Sequence, residues 1–228
     1  MILSHLLLFK SLKTGCTMLF ADIVGFTAMS ALLDPTELVA IINGLFSKFD
    51  DLVEEHGLNK VKTIGDCYFA SSIPGDPNHS ESCRQVCLFA LDMMDSLAEF
   101  NNSNHNRFHL KLRVGINTGP VVAGVVGRKR YLFDLWGDAV NLASRMESTG
   151  IPNMIQTTQT TVDLLKGNDE GLMYYSRGKI EVKGKGLVQT YFLNRDEVVT
   201  DLPPEVKTNT RPRMIKEASE RRVSCLDF

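Results

Sequence analysis

The spacing of the apolar residues changes repeatedly between Cys16 and Ile116, and this succession limits the folds open to the chain more than any other feature. Cys16 to Ile23 is rich in apolar and β-forming residues and is interrupted by Gly25, the pattern of a buried central strand running into a loop. Alternation places Cys16, Met18, Phe20 and Asp22 on one face of that strand, so a carboxylate ends an otherwise apolar row. Asp34-Pro35-Thr36-Glu37 then supplies an N-cap, a proline at the first helical position and an acidic first turn. Leu38, Ile42, Leu45, Phe49 and Leu52 follow at helical spacing, and Gly57 closes the helix.

Leu58 to Ile64 and Cys67 to Ser71 form two strands of a hairpin turning at Gly65-Asp66. A second helix buries Cys83, Val86, Ala90, Met93, Leu97 and Phe100. Polar residues from Asn101 to Asn106 make a loop, after which Leu110, Leu112, Val114 and Ile116 alternate as a strand carrying Lys111 and Arg113 on its other face. The order βαββαβ predicts an α+β fold with a ferredoxin-like core, an antiparallel sheet with helices on one face. Further α/β elements follow: a glycine-spaced hairpin from Gly119 to Tyr131, a strand from Leu132 to Trp136, a helix from about Asp138 to Glu147 with Asp138 as its candidate cap, and a terminal portion ending at Leu193. From Arg195 onward, Pro203-Pro204 and mixed charge predict a flexible tail. The expected organisation is an extension or truncated linker over 1–15, one catalytic domain over 16–194 and the tail over 195–228.

Composition narrows the ligands. With a formal charge of -2 and a pI near 6.2, the 228-residue chain has no basic field for a nucleic acid polymer or an anionic membrane. A small phosphate-bearing substrate held by a few placed cations fits better. The five cysteines, Cys16, Cys67, Cys83, Cys87 and Cys225, include no C-x-x-C pair, which points away from a disulfide framework or a zinc site and towards a reducing cytoplasm. The apolar start from Met1 to Phe9 is far shorter than the ~20 residues a membrane helix needs.

Asp22 and Asp66 meet if their strands are neighbours, and paired carboxylates suit hard cations such as magnesium or manganese. Singly, each aspartate is an ordinary turn residue. Their surroundings are more specific. Phe20-Ala21-Asp22-Ile23-Val24-Gly25-Phe26-Thr27, Lys62-Thr63-Ile64-Gly65-Asp66-Cys67-Tyr68, Gly115-Ile116-Asn117-Thr118-Gly119, Phe133-Asp134-Leu135-Trp136-Gly137-Asp138-Ala139-Val140-Asn141, Ala143-Ser144-Arg145-Met146-Glu147-Ser148 and Val182-Lys183-Gly184-Lys185-Gly186 resemble, in order, the class III adenylate and guanylate cyclase family. The resemblance runs from about Cys16 to Leu193, most of the chain.

The resemblance implies the class III nucleotide cyclase fold and production of cyclic AMP from ATP with two Mg2+ or Mn2+ ions. It assigns Asp22, Asp66 and the Ile23 carbonyl to the metals, Asn141 to the ribose and Arg145 to the transition state at the α-phosphate. Phe26 and Thr27 match a phosphate-cradling loop, and Lys183, in preference to Lys185, the polyphosphate contact. Lys62 and Asp134 occupy the positions that read the base. A lysine that donates and an aspartate that accepts complement adenine N1 and its amino group, whereas guanylate cyclases carry glutamate and cysteine there. The family builds its active site across a head-to-tail pair, and one chain here carries both halves, implying a homodimer. Guanylate cyclase, a silent cyclase-like dimerisation module and a ferredoxin-like RNA-binding domain are the competing readings; the last calls for exposed aromatics and a basic surface.

Overall fold

A computed structural model describes residues 12–103, 109–127 and 129–195. The opening apolar stretch, Cys225 and the expected tail from 196 onward fall outside them; Arg195, expected to begin that tail, ends a strand, and Leu12 to Gly15, expected in the extension, begin one. Strand β1 spans Leu12–Ile23, helix α1 Phe26–Ser30, α2 Pro35–Glu55, β2 Asn59–Ile64, β3 Cys67–Ser71, α3 His79–Ser103, β4 Leu112–Val126 and β5 Leu132–Trp136. They are followed by α4 Asp138–Ser148, β6 Met154–Thr158, α5 Gln159–Leu165, β7 Leu172–Val182 and β8 Gly186–Arg195. The sheet order is β2-β3-β1-β4-β6-β8-β7, with β5 paired to β4 off this path. Among the described residues no helix is long and apolar enough to cross a membrane.

The ferredoxin-like core forms as its element order predicts. Asp34 caps α2 by accepting the Thr36 N–H at 2.8 Å, with Pro35 in the first turn. Leu45 and Phe49 of α2 and Val86, Phe89, Ala90 and Met93 of α3 pack on Leu19, Ala21 and Ile23 of β1 and Val114 and Ile116 of β4. The other face of β1 is buried too: Cys16, Met18 and Phe20 pack with Phe69, Val121, Leu135, Ala139 and Ala143. The sequence-based arrangement places helices on one face; α4 and β5 cover the second.

Two glycines explain how α4 lies so close. Gly115, Asn117 and Gly119 share the face of β4 beneath it. A Cβ on Gly115 would stand 2.0 Å from the Glu147 backbone nitrogen, and one on Gly119 would stand 2.7 Å from Ala139 Cβ. Between them Asn117, 2% exposed, donates to the Ala139 carbonyl at 2.9 Å and accepts from Thr158 Oγ1 at 2.7 Å. Gly115→Ala is therefore expected to destabilise the domain by at least the ~1–3 kcal/mol usual for overpacking, because the obstacle is backbone rather than a movable side chain. A urea unfolding midpoint equal to that of the wild type would contradict this account.

The same contact alters one sequence-based expectation. No turn forms within 119–126; β4 continues through Gly119 and Pro120, and the hairpin joins β4 to β5 instead. Gly119 seats α4. Pro120 lies between the stretches of β4 that pair with β6, Arg113–Ile116, and with β5, Val122–Val126, so one edge of the strand has no ladder there for its missing N–H to interrupt.

Candidate active site

Register brings the two aspartates together. β1 pairs antiparallel with β3, matching Asp22 with Cys67, and Asp66 precedes Cys67 in the turn. That turn needs Gly65 at φ 63°, a backbone conformation that side-chain-bearing residues rarely adopt. β1 also pairs with β4, matching Asp22 with Arg113. Arg113 donates from Nη2 to Asp22 Oδ2 at 2.8 Å and from Nε to Glu147 Oε1 at 2.9 Å. Burial, then the Asp66 charge, pushes the Asp22 carboxyl up, with Arg113 opposing. Burial likewise pushes Glu147 up, opposed by its Arg113 hydrogen bond and reinforced by Asp22 and Asp66. The neighbouring Cys67 thiol is pushed up to about 12, by burial first and then by the three carboxylates.

Fully ionised, Asp22, Asp66 and Glu147 face a single guanidinium, leaving an excess of two negative charges. Hard oxygen donors with that excess suit magnesium or manganese, so the residues present fit the cations expected here. Arg113 and Glu147 were not singled out as site residues from the sequence. Arg113 is legible in the sequence only as a polar residue on β4, and Glu147 as part of the motif containing Arg145; the pairing of β1 with β4 and the seating of α4 over Gly115 bring them to Asp22.

The two raised carboxyls have a measurable consequence. In the metal-free protein each binds its proton more tightly folded than unfolded, so folding stability falls as pH rises from the ordinary carboxylate range through the raised values. Exposed carboxylates with lowered values, such as Asp34 and Asp163, act in the opposite sense at lower pH. Thermal melts of the metal-free protein across this range should therefore show a smaller decline for Asp22→Asn than for wild type. Parallel curves would refute the assignment.

A second cluster joins β2 to β5. Lys62 Nζ lies 2.6 Å from Asp134 Oδ2, with the side chains 40% and 21% exposed. Asp134 Oδ1 accepts the Leu135 N–H at 2.9 Å, which fixes the carboxylate's orientation. Among the described residues no hydrogen bond or ion pair joins this cluster to the aspartates.

The remaining candidates occupy the second covered face and the loops around it. Asn141 and Arg145 project one turn apart from α4, Asn141 exposed and Arg145 half-buried, and among the described residues Arg145 has no ion-pair partner. Asp138, a possible cap from the sequence, is the first residue of α4; Gly137 holds the cap position, and Asp138 instead pairs with Lys185. Lys183, in the same β7–β8 turn, is exposed and has no ion-pair partner among the described residues. Phe26 and Thr27 open α1, ahead of the first intrahelical bond, from the Met29 N–H to the Gly25 carbonyl at 3.0 Å. Their amides consequently have no acceptor within the helix. Ile23, the last residue of β1, is buried.

Comparison with known proteins agrees with this architecture. The chain is 44% identical over 193 residues to an adenylate cyclase of Mycobacterium tuberculosis, an alignment covering 84% of this chain and 42% of the relative. It is 40% identical over 194 residues to retinal guanylyl cyclase 2 of Rattus norvegicus, covering 81% of this chain and 18% of the relative. It thus spans less than half the length of these relatives. Among solved structures, the adenylyl cyclase CyaB from P. aeruginosa matches with a TM-score of 0.77 and 26% identity, covering 86% of this chain and all of that one. The guanylate cyclase domain of RhGC from Catenaria anguillulae, solved with GTP, matches with a TM-score of 0.72 and 33% identity, covering 81% and 98%. The family model of the adenylate and guanylate cyclase catalytic domain matches residues 10–195, and the chain belongs to that family.

Proposed function

We propose that this nucleotide cyclase domain is an adenylate cyclase, converting ATP to 3′,5′-cyclic AMP and pyrophosphate in a head-to-tail homodimer. The observation that carries the choice of base is the Lys62–Asp134 pair at 2.6 Å, a donor beside an oriented acceptor. Adenine offers the complement, an acceptor at N1 beside an amino donor; guanine's keto oxygen and N–H reverse it and would leave polar groups mispaired.

In this reading each site takes Asp22 and Asp66 from one subunit and Lys62, Asp134, Asn141, Arg145 and Lys183 from its partner. Among the described residues no hydrogen bond or ion pair links the two clusters within one chain, and Arg145 and Lys183 have no ion-pair partner; both observations support that division. Asp22, Asp66 and the Ile23 carbonyl would hold two magnesium or manganese ions, which, when bound, supply Lewis acidity at the triphosphate and acidify the ribose 3′-hydroxyl. Asn141 holds the ribose so that its 3′-oxygen lies in line with the α-phosphorus, Arg145 stabilises charge developing on the α-phosphate, and Lys183 holds the polyphosphate with the amides of Phe26 and Thr27. The nucleophile and the leaving pyrophosphate belong to one molecule, so orientation supplies much of the rate. ATP as the substrate and the free Cys16, Cys67, Cys83 and Cys87 support a cytosolic setting for the domain.

The test is product formation from ATP or GTP, with manganese or magnesium, at several protein concentrations. Cyclic AMP in excess, with specific activity rising with protein concentration, supports the reading. Predominant cyclic GMP would favour a guanylate cyclase, consistent with the guanylyl cyclases among its relatives, and would overturn the base assignment.

A further inference from the structure

Arg113 is shared between two carboxylates, and the sharing is built into the scaffold. Its Nη2 edge holds Asp22 at 2.8 Å while its Nε holds Glu147 at 2.9 Å. Glu147 is only 7% exposed, and its backbone rests directly over Gly115, two residues along β4 from Arg113 and on the same face. Neither partner can drift: one is seated in the sheet and the other on a helix clamped to it. We propose that Glu147 is a positioning residue that sets how readily Asp22 accepts a divalent cation, by holding Arg113 when the cation takes Asp22. The inference rests on the assignment of Asp22 and Asp66 to the cations.

Arg113 donates to Asp22 Oδ2, so a cation that takes this oxygen competes with the guanidinium. With Glu147 present the displaced guanidinium keeps a buried anionic partner, and the exchange leaves no charge unpaired. Without the Glu147 charge, Arg113 has Asp22 as its one charged partner among the described residues and competes for it fully. The cluster's excess negative charge also falls by one, and both effects disfavour a divalent cation.

The test is manganese binding to the full chain without nucleotide, followed by the electron paramagnetic resonance of free Mn2+, alongside urea unfolding. Glu147→Gln should weaken binding about tenfold, the scale of one lost charge at short range. Arg113→Met should tighten it. Combining the two should return affinity to the wild-type level or better, because the competitor is gone. A purely structural Glu147 would shift the unfolding midpoint without this reversal. Glu147→Gln within twofold of wild type, or a double variant as weak as Glu147→Gln, would overturn the inference while leaving the cyclase reading intact. Failure of the wild type to bind manganese would overturn both the inference and the metal assignment.

Discussion

Asp22→Ala is expected to lower cyclic nucleotide production by at least about 10²–10³-fold, the scale seen when a group that organises developing charge is removed. The fold should survive. The Asp22 carboxyl is pushed up by burial and by Asp66, so its ionised form is a net burden on the native metal-free state rather than a support. Alanine removes that burden, and Arg113 keeps Glu147. The melting temperature of the metal-free variant should stay within a few degrees of wild type or rise, whereas stabilisation by added manganese should largely disappear. Product chromatography and thermal melts on the same samples separate the two outcomes. A variant retaining more than about a tenth of wild-type activity would remove Asp22 from the site; one that fails to fold would make it a structural residue.

Exchanging the base-reading pair should have the second large effect. With Lys62→Glu and Asp134→Cys combined, the preference between ATP and GTP is expected to invert, within the ~10⁴ discrimination that mispaired hydrogen bonds produce. The single variants should behave differently. Lys62→Glu alone sets a carboxylate beside Asp134, where the native contact is 2.6 Å, and should impair turnover of both nucleotides. Asp134→Cys alone leaves a lysine that is 40% exposed and can be solvated, so it should lose ATP selectivity without losing the fold. The two changes therefore should not add, as expected of residues in contact. The ratio of kcat/KM for the two nucleotides across the four proteins decides the matter. Unchanged selectivity in the double variant would reduce Lys62–Asp134 to a structural ion pair.

The features legible in the sequence are those set within a few residues. The α2 cap at Asp34 and Pro35, the stop at Gly57, the turn at Gly65-Asp66 and the alternation of Cys16, Met18, Phe20 and Asp22 are local preferences, and each forms where its residues indicate. Asn141 and Arg145 share a helix face for the same reason. The order of the motifs carried the family, since motif residues keep their spacing whatever packs around them.

What the chain needed its tertiary structure to decide lies between residues far apart. Gly119 reads as the start of a hairpin reaching Tyr131, yet β4 runs straight through it and Pro120 because α4 needs a glycine beneath Ala139 and one edge of the strand is unpaired there. Asp138 reads as a cap but pairs with Lys185, 47 positions away. Arg113 meets Asp22 across 91 positions and Glu147 across 34. Sequence by itself determined the βαββαβ succession of the core and the motif order that marks the family, because φ/ψ preference and apolar period act locally. The covering of the second face and the division of Arg113 between two carboxylates came only with the folded structure, because strand register and helix seating depend on distant residues packing against one another.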